Sequence, residues 1–149
     1  MVYVCIGLAA LVFAADLLIK NRIEKEEGLP RTALGGKILL QRYHNKGAAL
    51  NFLEKRPRLV TCLSVLLTLF SLFLLVLSLG RRGNRFLQLS LALLLGGAFS
   101  NTYDRLKRKY VVDYVSFRVR WKRLAGVVFN LSDFCIIVGA LLACLVWQR

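Results

Sequence analysis

Residues 59–79 read LVTCLSVLLTLFSLFLLVLSL, a stretch in which no side chain carries a charge. As a helix, a run of this length crosses the roughly 30 Å hydrocarbon core of a bilayer. Three more apolar runs, at about 2–20, 86–104 and 124–147, are long enough to span but contain isolated polar residues. The sequence therefore predicts a polytopic α-helical membrane protein with four transmembrane helices, forming one membrane domain over residues 1–149.

The segment between the first two runs, residues 21–58, is too long and too mixed in composition for a simple connector. Within it, KILLQRYHNKGAALNF alternates apolar and polar residues as a strand does, and YVVDYVSFRV at 110–119 is likewise strand-like. We therefore expect a small β-rich element at the membrane surface.

The chain is strongly basic, with 22 Lys and Arg against 8 Asp and Glu and a formal net charge of +14. Such a charge can bind nucleic acid, but here the basic residues fill the segments between apolar runs and do not line one soluble face. Anionic lipid headgroups are the more natural counter-charge. We expect membrane phospholipids as partners, no nucleic acid, and a monomer, because no feature demands an oligomer.

The four cysteines lie in apolar segments and form no CxxC pair. They are Cys5, Cys62, Cys135 and Cys144, and no cluster of histidines accompanies them, since His44 is the one histidine. Metal binding is therefore not expected, and the thiols are interpreted as small buried hydrophobic groups.

All four aspartates lie in or beside apolar segments, where a charge costs about 2.5–3.5 kcal/mol on insertion scales. Asp16 has Lys20 four positions later on one helical face, a pairing that favours a structural role. Asp113 and Asp133 have no cation within helical or strand reach. Two carboxylates that meet in a low-dielectric site share one proton, as in aspartic proteases. This pair is therefore the catalytic candidate, with a purely structural role as the alternative.

In two of the apolar runs a glycine, an asparagine and an aspartate follow at i, i+4 and i+7, on one face of a helix. These are Gly97, Asn101 and Asp104 in the third run, and Gly126, Asn130 and Asp133 in the fourth. Such faces either serve the site or hold the helices together through polar contacts, which contribute about 0.6 kcal/mol each.

Five short motifs occur in order along the chain. They are DLLIK (16–20), HNKGAALNF (44–52), GGAFSNTYDR (96–105), VVDY (111–114) and FNLSD (129–133). The set resembles the signal peptidase II family, the prolipoprotein signal peptidases, whose motifs take the forms DxxxK, NxGAAF, GGAxGNxxDR, VxDF and FNxAD.

The resemblance implies a membrane aspartic endopeptidase of bacterial cytoplasmic membranes, without metal or cofactor. It would remove the signal peptide from diacylglyceryl-modified prolipoproteins, on the N-terminal side of the lipidated cysteine. Asp113 and Asp133 would be the catalytic dyad, and segment 21–58 an extracytoplasmic β-rich cradle. Supporting positions near substrate or dyad would be Asn45, Gly97, Asn101, Arg105 and Asn130, with Asp16, Lys20 and Asp104 as structural polar residues.

The chain departs from these motifs at four positions. Ser100 replaces a glycine, Ser132 an alanine and Tyr114 a phenylalanine, and Leu50 stands where the family has phenylalanine. The two serines are expected to narrow the pocket or to change a hydrogen bond. They motivate an alternative, a catalytically altered protein that binds lipopeptide or lipid without cleaving it. A transporter subunit that uses its carboxylates as a proton path is a second alternative, which predicts carboxylates spread across the bilayer.

The charge distribution and the resemblance disagree about orientation. Residues 20–58 and 105–123 contain 10 and 8 Lys and Arg, whereas the opposite side contains 4. The positive-inside rule places the two basic segments in the cytoplasm, and the resemblance places them outside. Topology rules are statistical and a cationic outer face can hold anionic lipid, so we follow the motifs.

Overall fold

The computed structural model describes residues 1–48, 52–80, 84–118 and 126–147. This part of the chain forms four helices and one four-stranded antiparallel sheet. The helices are α1 (Val2–Lys25), α2 (Pro57–Leu79), α3 (Arg85–Lys107) and α4 (Leu131–Trp147), and the strands are β1 (Arg31–Ala33), β2 (Ile38–Asn45), β3 (Val111–Phe117) and β4 (Val128–Phe129).

Helix α3 lies at the centre and packs against α1, α2 and α4. Two adjacent glycines allow the close approach on two of its sides. A Cβ at Gly96 would lie 2.7 Å from the carbonyl oxygen of Ala9 on α1, and one at Gly97 would lie 2.6 Å from that of Ser132 on α4. Small residues let helix backbones meet in this way, so Gly97 allows α4 to pack closely against α3.

The outer faces of α1, α2 and α4 expose apolar side chains. By length and composition, α1 and α2 could each cross a membrane, whereas the apolar part of α4 is shorter and α3 is less apolar. Cys62 and Cys144 are exposed, so the prediction of buried thiols is wrong for these two, while Cys5 is buried. Cys62 and Cys144 lie on apolar faces that none of the described helices covers.

The sheet has the strand order β1-β2-β3-β4, and each neighbouring pair is antiparallel. Strand formation is confirmed both within segment 21–58 and within segment 110–119. Asn45 pairs with Val111, two positions from Asp113. Such diagonal neighbours lie within reach of each other's side chains, and this register brings the end of β2 to the aspartate on β3.

Helix α4 begins at Leu131, later than the predicted start at 124. Asn130 accepts a hydrogen bond from the backbone N–H of Asp133 at 2.8 Å, and the Asp133 carboxylate accepts one from the backbone N–H of Asn130 at 3.1 Å. This reciprocal capping box marks a helix start. Gly126 lies in a turn before it, so the predicted helical face is wrong for Gly126. Residues 119–125 are outside the described part of the chain.

Candidate active site

Two aspartates from different elements meet through one asparagine. Asp113 lies on β3 and is 2% exposed, and Asp133 lies in the first turn of α4. The Asn130 side-chain amide donates to Oδ1 of Asp113 at 2.6 Å, while its oxygen accepts from the backbone N–H of Asp133. Asn130, which caps α4, therefore also fixes the position of the two aspartates relative to each other.

Each aspartate receives a second amide hydrogen bond from an asparagine on another element. Asn45 at the end of β2 donates to Oδ2 of Asp113 at 3.0 Å, and Asn101 on α3 donates to Oδ1 of Asp133 at 2.9 Å. The structure thus brings together all three asparagines that the motifs predict near the dyad. Both carboxylates are thus held in place by hydrogen bonds from N–H donors of the protein.

Asp113 binds its proton unusually tightly. Burial, together with the nearby charge of Asp133, raises the pKa of Asp113 to about 7, while hydrogen bonds from Asn45 and Asn130 and the charge of Lys20 act in the opposite direction. Desolvation and a like charge both disfavour the ionised carboxylate. A proton is therefore held on Asp113 at pH values below about 7.

A cavity of about 410 Å³ lies beside the two aspartates. Its polar lining comprises Asn45, Asn101, Arg105, Asp113 and Asp133, and the rest is mainly aliphatic or aromatic. A concave, mostly apolar site with a few convergent polar groups is typical of substrate sites. This arrangement can place a scissile bond and a water molecule against a pair of carboxylates that hold one proton.

Arg105 ties the segment after β2 to α3 at the edge of the cavity. Its guanidinium donates to the carbonyl oxygen of Gly47 at 2.7 Å. The backbone N–H of Gly47 in turn donates to the side-chain oxygen of Asn45 at 2.9 Å. Arg105 thereby helps to orient the amide that reaches Asp113.

A buried ion network lies behind the dyad. Lys20 is fully buried, with its Nζ 2.7 Å from Asp16 Oδ2 and 3.1 Å from Asp104 Oδ2. The same ammonium donates to the side-chain oxygen of Asn101 at 2.9 Å. Asp104 also pairs with Arg108 at 3.1 Å. The predicted structural residues are thus linked to the dyad through Asn101.

Three of the departures from the family motifs converge on Asp16. Ser100 Oγ donates to Asp16 Oδ2 at 2.6 Å, Ser132 Oγ donates to the same oxygen, and the Tyr114 hydroxyl donates to Oδ1 at 3.1 Å. Neither serine lines the cavity. Two effects are expected from the serines. The structure shows the hydrogen-bond effect, since both serines donate to Asp16, and it shows no narrowing of the pocket by their side chains. Leu50 lies outside the described residues.

Comparison with known proteins assigns the family. A family model described as Signal peptidase (SPase) II matches residues 8–148. The chain is 36% identical over 148 residues to a lipoprotein signal peptidase of Moorella thermoacetica, covering 95% of this chain and 89% of the relative. It is 33% identical over 151 residues to one of Halothermothrix orenii, covering 100% and 97%. The chain belongs to the signal peptidase II family.

The signal peptidase II resemblance read from the motifs is thereby confirmed, and two solved structures of bacterial membrane enzymes share the fold. They are each 22% identical to this chain, with TM-scores of 0.83 and 0.80. The superpositions cover 99% and 100% of this chain and 89% and 95% of the solved ones. This likeness shows the fold, and the signal peptidase II chain has in α1 and α2 two helices that are long and apolar enough to cross a membrane.

Sequence reasoning on this signal peptidase II chain missed the apolar lining of the cavity. Ile136 and Ile137 follow Asp133 at i+3 and i+4, a spacing that places them on its helical face, so they could have been read from the sequence. Val128 and Phe129 reach the cavity through the pairing of β4 with β3. Nothing in their local sequence indicates that contact.

Proposed function

We propose that this protein is an aspartic endopeptidase that removes the signal peptide from diacylglyceryl-modified prolipoproteins, on the N-terminal side of the lipidated cysteine. The observation that carries the proposal is the pair of buried carboxylates, Asp113 and Asp133, linked by Asn130 beside a largely apolar cavity. The substrate class is supported by the relatives from Moorella thermoacetica and Halothermothrix orenii, which are lipoprotein signal peptidases.

In the proposed reaction, water is the nucleophile and no covalent intermediate, metal or cofactor takes part. Asp133 takes a proton from the water, because Asp113 carries the shared proton and Asp133 is the other carboxylate that lines the cavity. Asp113, with its pKa raised to about 7, carries the shared proton and donates it to the carbonyl oxygen. The C–N bond of the tetrahedral intermediate then breaks as Asp133 gives its proton to the leaving amine, and a hydroxyl of the intermediate returns a proton to Asp113.

The apolar part of the cavity suits the lipid-modified substrate. Phe129, Ile136 and Ile137 line it beside the dyad, where they can accept aliphatic groups that flank the scissile bond. Burying such groups also excludes water other than the attacking molecule. Exclusion of bulk water strengthens electrostatic interactions at a reacting centre.

We further propose that all four helices cross a bacterial cytoplasmic membrane as a monomer, with the sheet and dyad on the extracytoplasmic side. The polar residues Gln88, Ser90 and Asn101 of α3 are buried, which leaves them shielded from lipid. Helix α4, with 17 residues, is about 26 Å long and close to the thickness of the hydrocarbon core.

The charge count that opposes this orientation includes cations that are paired inside the protein. Lys20 is fully buried between two carboxylates, and Arg108 pairs with Asp104. Arg31 pairs with Glu26 at 2.8 Å. The positive-inside rule counts Lys and Arg whatever their partners, so the orientation proposed here rests on the motif resemblance.

The test is a mobility-shift assay with purified protein in detergent and a diacylglyceryl-modified prolipoprotein. We expect cleavage of the modified precursor and none of the matched precursor that lacks the lipid. Binding of the modified precursor without cleavage would instead favour the lipopeptide-binding alternative. Against that alternative, the serines that motivate it contact Asp16 and do not line the cavity.

The pH dependence of cleavage follows from the raised pKa of Asp113. We expect the rate to fall as pH rises above about 7, because Asp113 then loses the proton that the dyad shares. The hydrogen bond from Asn45 favours the ionised carboxylate and lowers the pKa of Asp113. Asn45→Ala removes this hydrogen bond, so the pKa of Asp113 should rise and the alkaline limb should move to higher pH. The measurement is the rate of precursor cleavage across the neutral range.

Gln41→Ala is the matched control for that experiment. Gln41 lies on the same strand and donates to Ser116 Oγ at 3.2 Å, without contact to either aspartate. Its profile should match the wild type. An unmoved limb in Asn45→Ala, or an equal movement in the control, would contradict the role assigned to the Asn45 amide.

A further inference from the structure

The carboxylate of Asp16 receives donors from four elements. Asp16 is fully buried on α1. Its oxygens receive Lys20 from α1, Ser100 from α3, Ser132 from α4 and Tyr114 from β3. An ionised carboxylate offers about four acceptor sites, and donors stabilise its charged form. We call Ser100, Ser132 and Tyr114 the hydroxyl cage of Asp16.

The direction of these hydrogen bonds is set by their neighbours. The Tyr114 hydroxyl accepts from the backbone N–H of Leu131 at 2.9 Å, so its single proton is available for Asp16. Ser100 Oγ accepts from the ammonium of Lys20 at 3.2 Å, and its proton is likewise left for Asp16. The cage therefore requires Asp16 to be the acceptor, as the ionised form is.

Each cage residue is adjacent in sequence to a residue of the candidate site. Ser100 precedes Asn101, Tyr114 follows Asp113, and Ser132 precedes Asp133. Consecutive side chains of a strand point to opposite faces, so Tyr114 reaches away from the cavity while Asp113 faces it. The cage thus holds, from behind, the three backbone segments that carry the site.

A second connection runs through Lys20. An ammonium can only donate, so its contact with Asn101 fixes the amide oxygen toward Lys20 and the amide nitrogen toward Asp133. Ionised Asp16 holds Lys20 in that place. Without the three hydroxyl donors, the Asp16 carboxylate would hold the Lys20 ammonium in a less defined position. The orientation of the Asn101 amide would then be less defined as well.

We propose that Ser100, Ser132 and Tyr114 are positioning residues that act through ionised Asp16 to set α3, α4 and β3 in the relative placement that the dyad requires. This inference rests on the proposed peptidase function. It assigns a shared role to three residues at which the chain departs from the family motifs. None of the three contacts the cavity, so the role concerns turnover and not substrate binding.

The test compares cleavage kinetics of Ser100→Ala/Ser132→Ala, Tyr114→Phe and the triple variant with wild type, in detergent. We expect kcat to fall by about tenfold to 100-fold, the upper value being the effect of misplacing a group by about 1 Å. KM should not change. The acidic limb of the pH profile should move to higher pH, because Asp133, the proposed base, loses an ordered donor to its ionised form. The other charged or titratable groups nearby are unaltered, namely Lys20, Asp16, Asp104, Arg105, Asp113 and Cys135.

The control is Thr68→Val/Thr102→Val, which removes another pair of buried hydroxyls on α2 and α3. Their oxygens are 2.8 Å apart and do not contact Asp16. This pair should lose thermal stability but keep the kcat and the pH profile of wild type. If the triple variant does not fold, Ser132→Ala, which removes one oxygen atom, carries the same expectation for kcat and pH.

The outcomes separate the two proposals. Cage variants that keep the wild-type kcat and pH profile would overturn the positioning role and leave the peptidase function standing. An equal loss of kcat in the threonine control would overturn it as well, because the effect would then be general destabilisation. Absence of cleavage by wild type would overturn the proposed function and this role together.

Discussion

Asp113→Asn is expected to reduce cleavage of the lipid-modified precursor by about 100-fold to 10,000-fold, the range for loss of general acid–base catalysis. Asparagine has nearly the same shape but cannot carry the shared proton or release it to a carbonyl oxygen. Asp133→Asn should cause a similar loss, because an amide cannot take a proton from water. The measurement is the single-turnover rate in the mobility-shift assay.

Folding and chemistry can be separated in these variants. Asp113 is buried with a raised pKa, so a neutral amide there should leave the thermal midpoint in detergent close to that of wild type. Glu27→Gln, a carboxylate-to-amide change at an exposed position, is the control and should keep full activity. Full proteolysis by Asp113→Asn would show that the dyad is assigned to the wrong residue.

Lys20→Met is expected to destabilise the protein by about 3–5 kcal/mol, the usual effect of removing one partner from a buried ion pair. Lys20 holds Asp16 at 2.7 Å and Asp104 at 3.1 Å, and all three side chains are fully buried. Without the ammonium, two carboxylates are left close together in a low-dielectric interior. The measurement is thermal unfolding of the purified protein in detergent.

Lys25→Met is the matched control for this variant. Lys25 lies on the same helix, in its last turn, but is exposed. Its removal should change the unfolding midpoint little, since substitutions at exposed positions usually change stability by no more than about 0.5 kcal/mol. Equal midpoints for the two variants would mean that the Lys20 network does not stabilise the fold.

The sequence was sufficient to predict those features that depend on residues within one short segment. The uncharged run at 59–79 forms α2, and the spacing of Asp16 and Lys20 produces the ion pair seen on α1. The ordered motifs identified the family, and they include all three asparagines that contact the dyad. These features depend on helix periodicity and on neighbours within a few residues of one another.

The start of α4 shows where such reasoning fails. A hydropathy scale gives a valine or a phenylalanine the same value in a strand as in a helix. It therefore extends the fourth apolar run back to 124. In the structure Val128 and Phe129 pair with β3, and the capping box of Asn130 and Asp133 begins the helix. The strand partner lies on another segment, so hydropathy alone could not identify it.

The sequence by itself determined the family, the apolar helices and the identity of the two candidate carboxylates. Only the tertiary structure decided how the remaining polar groups are paired. Ser100, Tyr114 and Ser132 lie 84, 98 and 116 positions from Asp16 along the chain, yet their hydroxyls meet on its carboxylate. A buried carboxylate takes its hydrogen-bond donors from whichever elements pack against it, and that packing is a property of the assembled helices and sheet.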